Sequence, residues 1–361
     1  MSAHEILIAV MAAFAVLGAL DRIFGNRFGL GAEFESGILA MGSLAMAMLG
    51  IISLAPVLAA VLKPVVVPVF SFLGADPAIF AGSILACDMG GGALAMEMTA
   101  DPEAALLGGV LVGSMLGATI VFTIPVAMGI LEEADRPAMA KGILCGIVTI
   151  PVGVLAGGLA AGFAPVMVLR NLIPIVIIGA LIALGLWKAE NAMIRGFAAF
   201  GKGVIAVIAA GLAAANVEEL TGFVLIPGLA PLSEGFATVG AIAIVLAGGF
   251  PLVFVLTKVL KKPLMKLGSV LGINETAAAG LVASLANSIA TFGMVKDMDQ
   301  RGKVVNIAFA VSAAFVFGDH MGFTAGFAPE MILPMILGKL AGGISAVAVA
   351  LLVTREKENE G

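Results

Sequence analysis

The sequence contains little charge. Asp, Glu, Lys and Arg make up 12% of its 361 residues, whereas 61% are hydrophobic, and the mean hydropathy is +1.16. Soluble globular domains carry about 25% charged residues, so this composition excludes a soluble protein of the ordinary kind. The net charge of −5 is scattered along the chain and offers no basic surface for nucleic acid. We therefore expect a protein solvated by lipid, with no nucleic-acid partner.

Cysteine, histidine and the larger aromatic residues are also scarce. Cys87 and Cys145 lie in apolar segments, which favours packing roles over a disulfide. Two histidines, of which His4 lies near the start of the sequence, predict neither a metal site nor another cofactor. The sequence has no Tyr and a single Trp, which argues against an aromatic cage for quaternary amines.

Phosphate-binding loops and nucleophile elbows are missing from the sequence as well. No Walker, Rossmann or Gly-x-Ser-x-Gly motif occurs. This excludes an ATP-driven pump on one chain, and we expect a protein that is not an enzyme.

What the sequence does contain is a series of apolar segments. Many approach or exceed the roughly 20 residues that a membrane-spanning helix needs. They cover residues 5–20, 36–57, 77–98, 104–131, 138–162, 166–187, 192–216, 236–257, 274–295, 304–328 and 331–354. The predicted fold is an all-α polytopic membrane protein, because lipid-exposed backbone must satisfy its hydrogen bonds within helices.

Two parts of the chain match each other at a nearly constant offset, which indicates an internal duplication. The matching pairs are Lys63-Pro64 with Lys262-Pro263, Leu73-Gly74 with Leu271-Gly272, Ala81-Gly82 with Ala279-Gly280, and Gly142 and Gly146 with Gly338 and Gly342. We predict a first repeat at 1–162, a linking transmembrane helix within 163–189, a second repeat at 190–354 and a cytoplasmic tail at 355–361.

The distribution of basic residues decides between two topologies. With 11 full spans, the 19 Lys and Arg residues divide almost evenly between the two faces. If 77–98 and 274–295 are instead re-entrant hairpins, 16 of the 19 share one face, two lie on the other and Lys339 falls within a span. The positive-inside rule favours this second arrangement. It predicts about nine spans, two hairpins, an outer N-terminus, a cytoplasmic C-terminus and repeats of inverted orientation, as in secondary transporters.

Both predicted hairpins contain start and break signals. Asp76 precedes Pro77 and Asn274 precedes Glu275, as helix N-caps do. The strings "CDMGGG" and "LANS" interrupt the apolar runs midway. Irregular backbone at membrane depth is tolerated only where protein or a water-filled cavity surrounds it. We therefore expect the two tips to oppose each other near the middle of the membrane, at a site.

Asp88 is the candidate ligand at the tip of the first hairpin. Ionisable groups inside a membrane are costly and usually functional. Cys87 and Gly90 flank it and complete this side of the predicted substrate site, since glycine lets a ligand approach the backbone. The alternative is that Asp88 caps the second half-helix. Glu97 is expected at the outer rim, with a possible coupling role.

At the second tip, Asn287 and Ser288 occupy the position equivalent to Asp88. They supply neutral donors and acceptors for a hydroxyl or amine ligand. The alternative is interhelical hydrogen bonding.

The string "FGDHMGF" places Asp319 and His320 inside an otherwise uncharged span. Glycines beside them could break the helix. The pair is interpreted either as a ligand site or proton relay, or as a satisfied hydrogen-bonded pair. Phe317 could offer an aromatic face. Lys339 either snorkels outward or pairs with Asp319, in a rim or coupling role.

Several longer strings identify a family. "ACDMGGG", "TIVFTIPVAMGI", "GIVTIPVG", "KPLMKLG", "MDQRGKVVNIAFAVSAAFVFGDHMGF" and "PMILGKLAGG" resemble the bacterial ethanolamine-utilisation permease family, over essentially the whole chain. The resemblance implies uptake of protonated ethanolamine across the inner membrane for catabolism. It supplies no binding residues.

Other hypotheses remain open. The protein could carry another small polar or cationic solute, such as an amino acid, or could be an intramembrane enzyme or a scaffold. The sequence does not decide between a coupling ion and uniport. Besides ethanolamine and membrane lipid, we expect a second copy of the chain as partner, in a homodimer.

Overall fold

The structure, a computed structural model, describes residues 3–355, and no strand occurs within that range. Eight helices of the described chain are long and apolar enough to cross a membrane. They comprise residues His4–Ile23, Leu30–Phe72, Pro102–Ile130, Glu133–Ala160, Pro165–Ala189, Asn191–Thr221, Leu232–Val259 and Pro329–Thr354. The predicted all-α polytopic membrane fold is confirmed.

The α-helices are numbered in chain order. They are α1 (Ala3–Ile23), α2 (Leu30–Phe72), α3 (Ala78–Ile84), α4 (Gly91–Met98), α5 (Pro102–Leu106), α6 (Ile124–Ile130), α7 (Arg136–Ile147), α8 (Ile150–Ala160), α9 (Pro165–Thr221), α10 (Leu232–Leu271), α11 (Glu275–Ala286), α12 (Ser288–Met294), α13 (Gln300–Ala313), α14 (Asp319–Phe327) and α15 (Ile332–Arg355). Wide π-helical turns at Leu107–Gly117 and Thr119–Thr123 join α5 to α6. Helix α9 holds two spans, divided by a kink at Ala189.

Segment 77–98 forms a helical hairpin, called hairpin 1 below. Its helices α3 and α4 pack against each other across the 3-10 turn Cys87–Met89. The two ends of the segment meet, since Thr99 Oγ1 donates a hydrogen bond to Asp76 Oδ2 at 2.8 Å. Helices of seven and eight residues reach only about 12 Å, well short of the roughly 30 Å hydrocarbon core. Hairpin 1 is therefore not a full span.

Segment 274–295 closes in the same way and is called hairpin 2. It consists of α11 and α12, joined at Asn287. Near its ends, the backbone N–H of Asn274 donates to Asp299 Oδ1 at 2.7 Å, and the Asn274 amide donates to the Asp297 carbonyl at 3.0 Å. Both segments begin and end at one place. This geometry favours two hairpins over the alternative of 11 full spans.

The predicted span at 304–328 is not a continuous helix, so residues 3–355 contain eight candidate spans where about nine were expected. Helix α13 ends at Ala313 and α14 begins at Asp319. In between, the backbone N–H groups of Phe315 and Phe317 donate to the carbonyls of Ser284 and Leu285, at 3.1 and 2.9 Å. Hydrogen bonding to the end of α11 thus replaces the helical bonds of this segment.

The two predicted repeats contribute to one shared core. Among the most extensive helix contacts are those of α2 with α10, α7 with α13, and α8 with α15, each of which joins the first predicted repeat to the second. In both parts a long helix precedes a hairpin and two further spanning segments follow it. The internal duplication, its boundaries and the orientation of the termini stay predictions. Residues 356–361 of the predicted tail lie outside the described range.

Candidate functional site

A cavity of about 600 Å³, called cavity 1, lies between the two predicted repeats. Asp88 of hairpin 1 lines it together with Asp319 and His320, the first residues of α14. Its remaining wall comes chiefly from α2, α9 and the π-helical segment before α6. The structure therefore brings three predicted site residues to one cavity.

Asp88 lies in the turn between the two helices of hairpin 1, and its side chain is 17% exposed. The N-cap position of α4 is occupied by Gly90, which has no side chain to cap the helix. Asp88 therefore does not occupy the capping position that the alternative interpretation requires. Gly90 has φ +91°, and a Cβ atom there would lie 2.2 Å from Ile51. The glycine thus allows close packing of the turn, whereas Gly90 and the buried Cys87 do not line cavity 1.

His320 faces Asp88. Its Nε2 lies 3.8 Å from Asp88 Oδ1, beyond hydrogen-bonding distance. The imidazole is buried against the Phe315 ring, with ring centroids 5.2 Å apart. Its Nδ1 has no hydrogen-bond partner within the described range. This geometry differs from a satisfied Asp319–His320 pair, and it leaves both Asp88 and His320 able to bind a small polar ligand.

Lys339 takes neither of its two predicted positions. Its side chain is buried at 1% exposure, and Nζ donates a hydrogen bond to the Ser114 carbonyl at 2.5 Å. The ammonium group lies close enough to Asp88 and Cys87 to interact with them electrostatically. The backbone acceptor explains why the lysine does not snorkel, since burial of an ammonium group requires partners.

A second cavity of about 400 Å³, called cavity 2, lies on the other side of Asp319, which lines both cavities. Asn287 and Phe317 line cavity 2 but not cavity 1. The two hairpin tips therefore face different cavities, with Asp319 common to both. The amide of Asn287 also accepts a hydrogen bond from the backbone N–H of Ile289 at 2.8 Å, which caps α12.

Ser288 and Glu97 line neither cavity, as is also the case for Cys87, Gly90 and Lys339. Ser288 is fully buried, with an Oγ that has no partner among residues 3–355. Glu97 is exposed at the end of α4. Conversely, the aromatic ring beside His320 belongs to Phe315, which the sequence interpretation missed. Its positive φ of +62° gives no signal in the sequence.

Three possible metal ligands, Cys87, Asp88 and His320, come together although the sequence predicts no metal site. Their donor atoms lie within 4.8 Å of one another. Zinc ligands lie about 2.0–2.3 Å from the metal, so two of them are at most about 4.6 Å apart. The distance of 3.8 Å between His320 Nε2 and Asp88 Oδ1 is within that limit, but the neighbouring Lys339 ammonium group would repel a metal cation.

The charges at the Asp88 end of cavity 1 favour a monovalent cation. Asp88 and Asp319 are the carboxylates of its lining, and Lys339 adds one buried positive charge beside Asp88. With both carboxylates ionised, Lys339 protonated and His320 neutral, these residues carry one formal negative charge, while the exposed Lys202 lines another part of the cavity. A single monovalent cation neutralises this negative charge, which matters because net charge is costly at membrane depth.

The fold and the site define a multi-pass membrane protein with interrupted helices around internal cavities, in the manner of transport proteins. The family model described as "Ethanolamine utilisation protein, EutH" matches residues 3–353, and the chain belongs to this family.

Relatives extend over nearly the whole length. A protein of Listeria monocytogenes named "Probable ethanolamine permease EutH" is 61% identical over 351 residues, which cover 97% of this chain and 94% of the relative. A protein of Escherichia coli with the same name is 48% identical, with 99% and 97% covered. "Uncharacterized protein YxeR" of Bacillus subtilis is 53% identical, with 98% and 96% covered. No solved structure matches the chain. The permease names indicate a bacterial membrane transporter rather than an enzyme.

Proposed function

We propose that this protein is an ethanolamine permease, which binds the protonated amine in cavity 1 and moves it across the inner membrane into the cytoplasm. The observation that carries the proposal is the meeting of Asp88, Asp319 and His320 at one cavity within an apolar fold. The names of the relatives agree with the substrate.

Each part of ethanolamine has a counterpart in cavity 1. The ammonium group donates hydrogen bonds to the Asp88 and Asp319 carboxylates, and such charge-assisted bonds are the strong ones. The hydroxyl group can bond to the imidazole of His320, which is within reach of a ligand held at Asp88. The Phe315 ring beside His320 supplies an apolar face for the two methylene groups.

Lys339 sets the charge of the site. Its ammonium group compensates one of the two carboxylates, so that one substrate cation suffices to neutralise the other. An anionic solute would add to the negative charge and is disfavoured. A different small monovalent amine satisfies the same charge rule, and the hydroxyl contact with His320 distinguishes ethanolamine from it.

In the predicted topology, the lysines that line the two cavities support an opening towards the cytoplasm. Lys202 lines cavity 1 and Lys258 lines cavity 2, and both lysines belong to the basic face. We infer that both cavities open towards that face, so that Asp319 can be reached from it through either cavity. These linings support an inward-facing state of a carrier with alternating access.

The test is uptake of labelled ethanolamine into proteoliposomes at acidic pH, where passive diffusion of the neutral amine is negligible. We expect saturable uptake that excess unlabelled ethanolamine abolishes. Ethylamine, which lacks the hydroxyl group, should compete about tenfold less well, as the loss of one hydrogen bond of roughly 1.4 kcal/mol implies. Uptake equal to that of protein-free liposomes would overturn the proposal.

A further inference from the structure

Cavity 1 is larger than ethanolamine requires. Its volume is about 600 Å³. A molecule with four non-hydrogen atoms takes on the order of 100 Å³, about three times the roughly 30 Å³ share of a water molecule. Cavities of several hundred Å³ are those that enclose drug-sized ligands. Most of cavity 1 therefore lies beyond a solute held at Asp88.

The cavity is also long. Its lining along α9 extends from Ala198 to Ala209, which is roughly 16 Å at 1.5 Å per residue. The deep end lies near hairpin 1, because the Ile208 carbonyl lies against Gly50, and the neighbouring Ile51 contacts Gly90 in the turn that carries Asp88. Ala198 therefore lies at the end away from Asp88.

The wall between the two ends is apolar. It includes Met46, Ala47, Val121, Phe122, Ile205 and Ile208. At the end away from Asp88, Gly201 lies close to the Val121 carbonyl and to Pro125. The exposed Lys202 follows at this end. Along its described lining, cavity 1 thus has a carboxylate end, an apolar middle and one cation, Lys202, at the end away from Asp88.

We propose that cavity 1 also takes amines with an apolar chain, of which N-alkyl ethanolamines are the simplest. The ammonium group lies at Asp88, and the alkyl chain follows α9 towards Ala198. The inference rests on the proposed function for its ammonium end and enlarges the ligand class of the same site. Lys202 disfavours a second cation at the far end, so that monoamines bind more tightly than diamines of equal length.

A series of N-alkyl ethanolamines of increasing length tests whether the alkyl chain binds along the apolar wall of cavity 1. N-methyl-, N-propyl- and N-hexylethanolamine are compared as inhibitors of labelled ethanolamine uptake and, in parallel, as ligands of the purified protein by calorimetry. Each methylene group that leaves water tightens binding by about fourfold. We expect N-hexylethanolamine to inhibit at a concentration at least 100-fold lower than N-methylethanolamine. N-(6-aminohexyl)ethanolamine, which has the same reach and a second cation, should lose most of this gain.

Substitutions at two neighbouring residues of α9 test where the alkyl chain of the ligand lies. Ala198→Phe narrows the cavity at its far end and should reduce the hexyl-to-methyl ratio to less than tenfold. Ala199 is exposed on the same helix and does not line the cavity, so that Ala199→Phe should leave the ratio unchanged. Equal hexyl-to-methyl ratios in the two variants would overturn this placement of the alkyl chain.

The controls separate this inference from the proposed function. If inhibition does not depend on the length of the alkyl chain in protein that takes up ethanolamine, the inference is overturned and the proposed permease function stands. Equal inhibition by hexan-1-ol, which has no amine, shows an effect on the membrane and also overturns it. If the protein binds the amines tightly and in a length-dependent way but moves no ethanolamine, the binding inference is supported and the proposed permease function is overturned.

Discussion

Asp88 of hairpin 1 and His320 of α14 face each other with 3.8 Å between Oδ1 and Nε2, although they belong to different predicted repeats. The distance is too long for a hydrogen bond and short enough for one small molecule to contact both groups. Neither side chain is therefore satisfied by the other, and both remain available for a ligand.

Substitution of Asp88 by Asn removes the charge and preserves the shape. We expect ethanolamine uptake at a subsaturating concentration to fall by about tenfold or more, since hydrogen bonds to charged groups contribute roughly 1.5–3 kcal/mol. Glu97→Gln is the matched control, because Glu97 is exposed and lines neither cavity, and it should behave as the unmodified protein. Equal kinetics for both variants would make Asp88 a structural residue.

Substitution of Lys339 by Met tests the charge balance of the site. Without the competing ammonium group, Asp88 should bind the substrate cation more tightly and lower the KM by about tenfold, which corresponds to roughly 1.4 kcal/mol. The loaded site then keeps one uncompensated negative charge, so that the maximal rate should fall. Lys339→Arg keeps the charge and serves as the comparison. A raised KM with an unchanged maximal rate would contradict this role.

A buried ion pair joins the loop before α7 to α13. Lys303 Nζ lies 2.5 Å from Asp135 Oδ1, with side chains 10% and 4% exposed. Removal of one partner leaves a buried charge unpaired, so Lys303→Met alone should destabilise the protein by about 3–5 kcal/mol. The double substitution Asp135→Leu, Lys303→Met should recover most of that loss. Additive losses in thermal unfolding of the detergent-solubilised protein would argue against the coupling.

The start and break signals of the hairpins could be predicted because they are local. Asn274, for example, caps α11 by accepting a hydrogen bond from Ala277 N–H at 2.9 Å. The burial of Lys339 could not be predicted, since its acceptor is the carbonyl of Ser114, which is distant in sequence. The unwound segment around Phe315 depends in the same way on the carbonyls of hairpin 2.

Only part of the site could be predicted, because some of its features are local in the sequence and others depend on distant contacts. Asp88, Asp319 and His320 are charged or titratable residues in apolar surroundings, and composition alone marks them. Which of them share a cavity depends on tertiary packing. Asn287 consequently matches Asp88 in the sequence repeat and yet lines cavity 2.

Single cysteines test the predicted topology. A cysteine at Asp101, just after hairpin 1, should react with a membrane-impermeant maleimide added to whole cells. A cysteine at Asp297, just after hairpin 2, should react only in inverted vesicles. Labelling of both positions from one side would contradict the inverted arrangement and, with it, the inward-facing assignment of the two cavities.

The central claim is that the protein moves the protonated, singly charged amine. The most direct test is the accumulation of labelled ethanolamine by proteoliposomes held at 100 mV, inside negative, with equal pH on both sides. Transport of one positive charge predicts accumulation of up to roughly 50-fold, the equivalent of about 2.3 kcal/mol, and none at zero potential. Uptake that equilibrates at the external concentration, whatever the potential, would contradict the account.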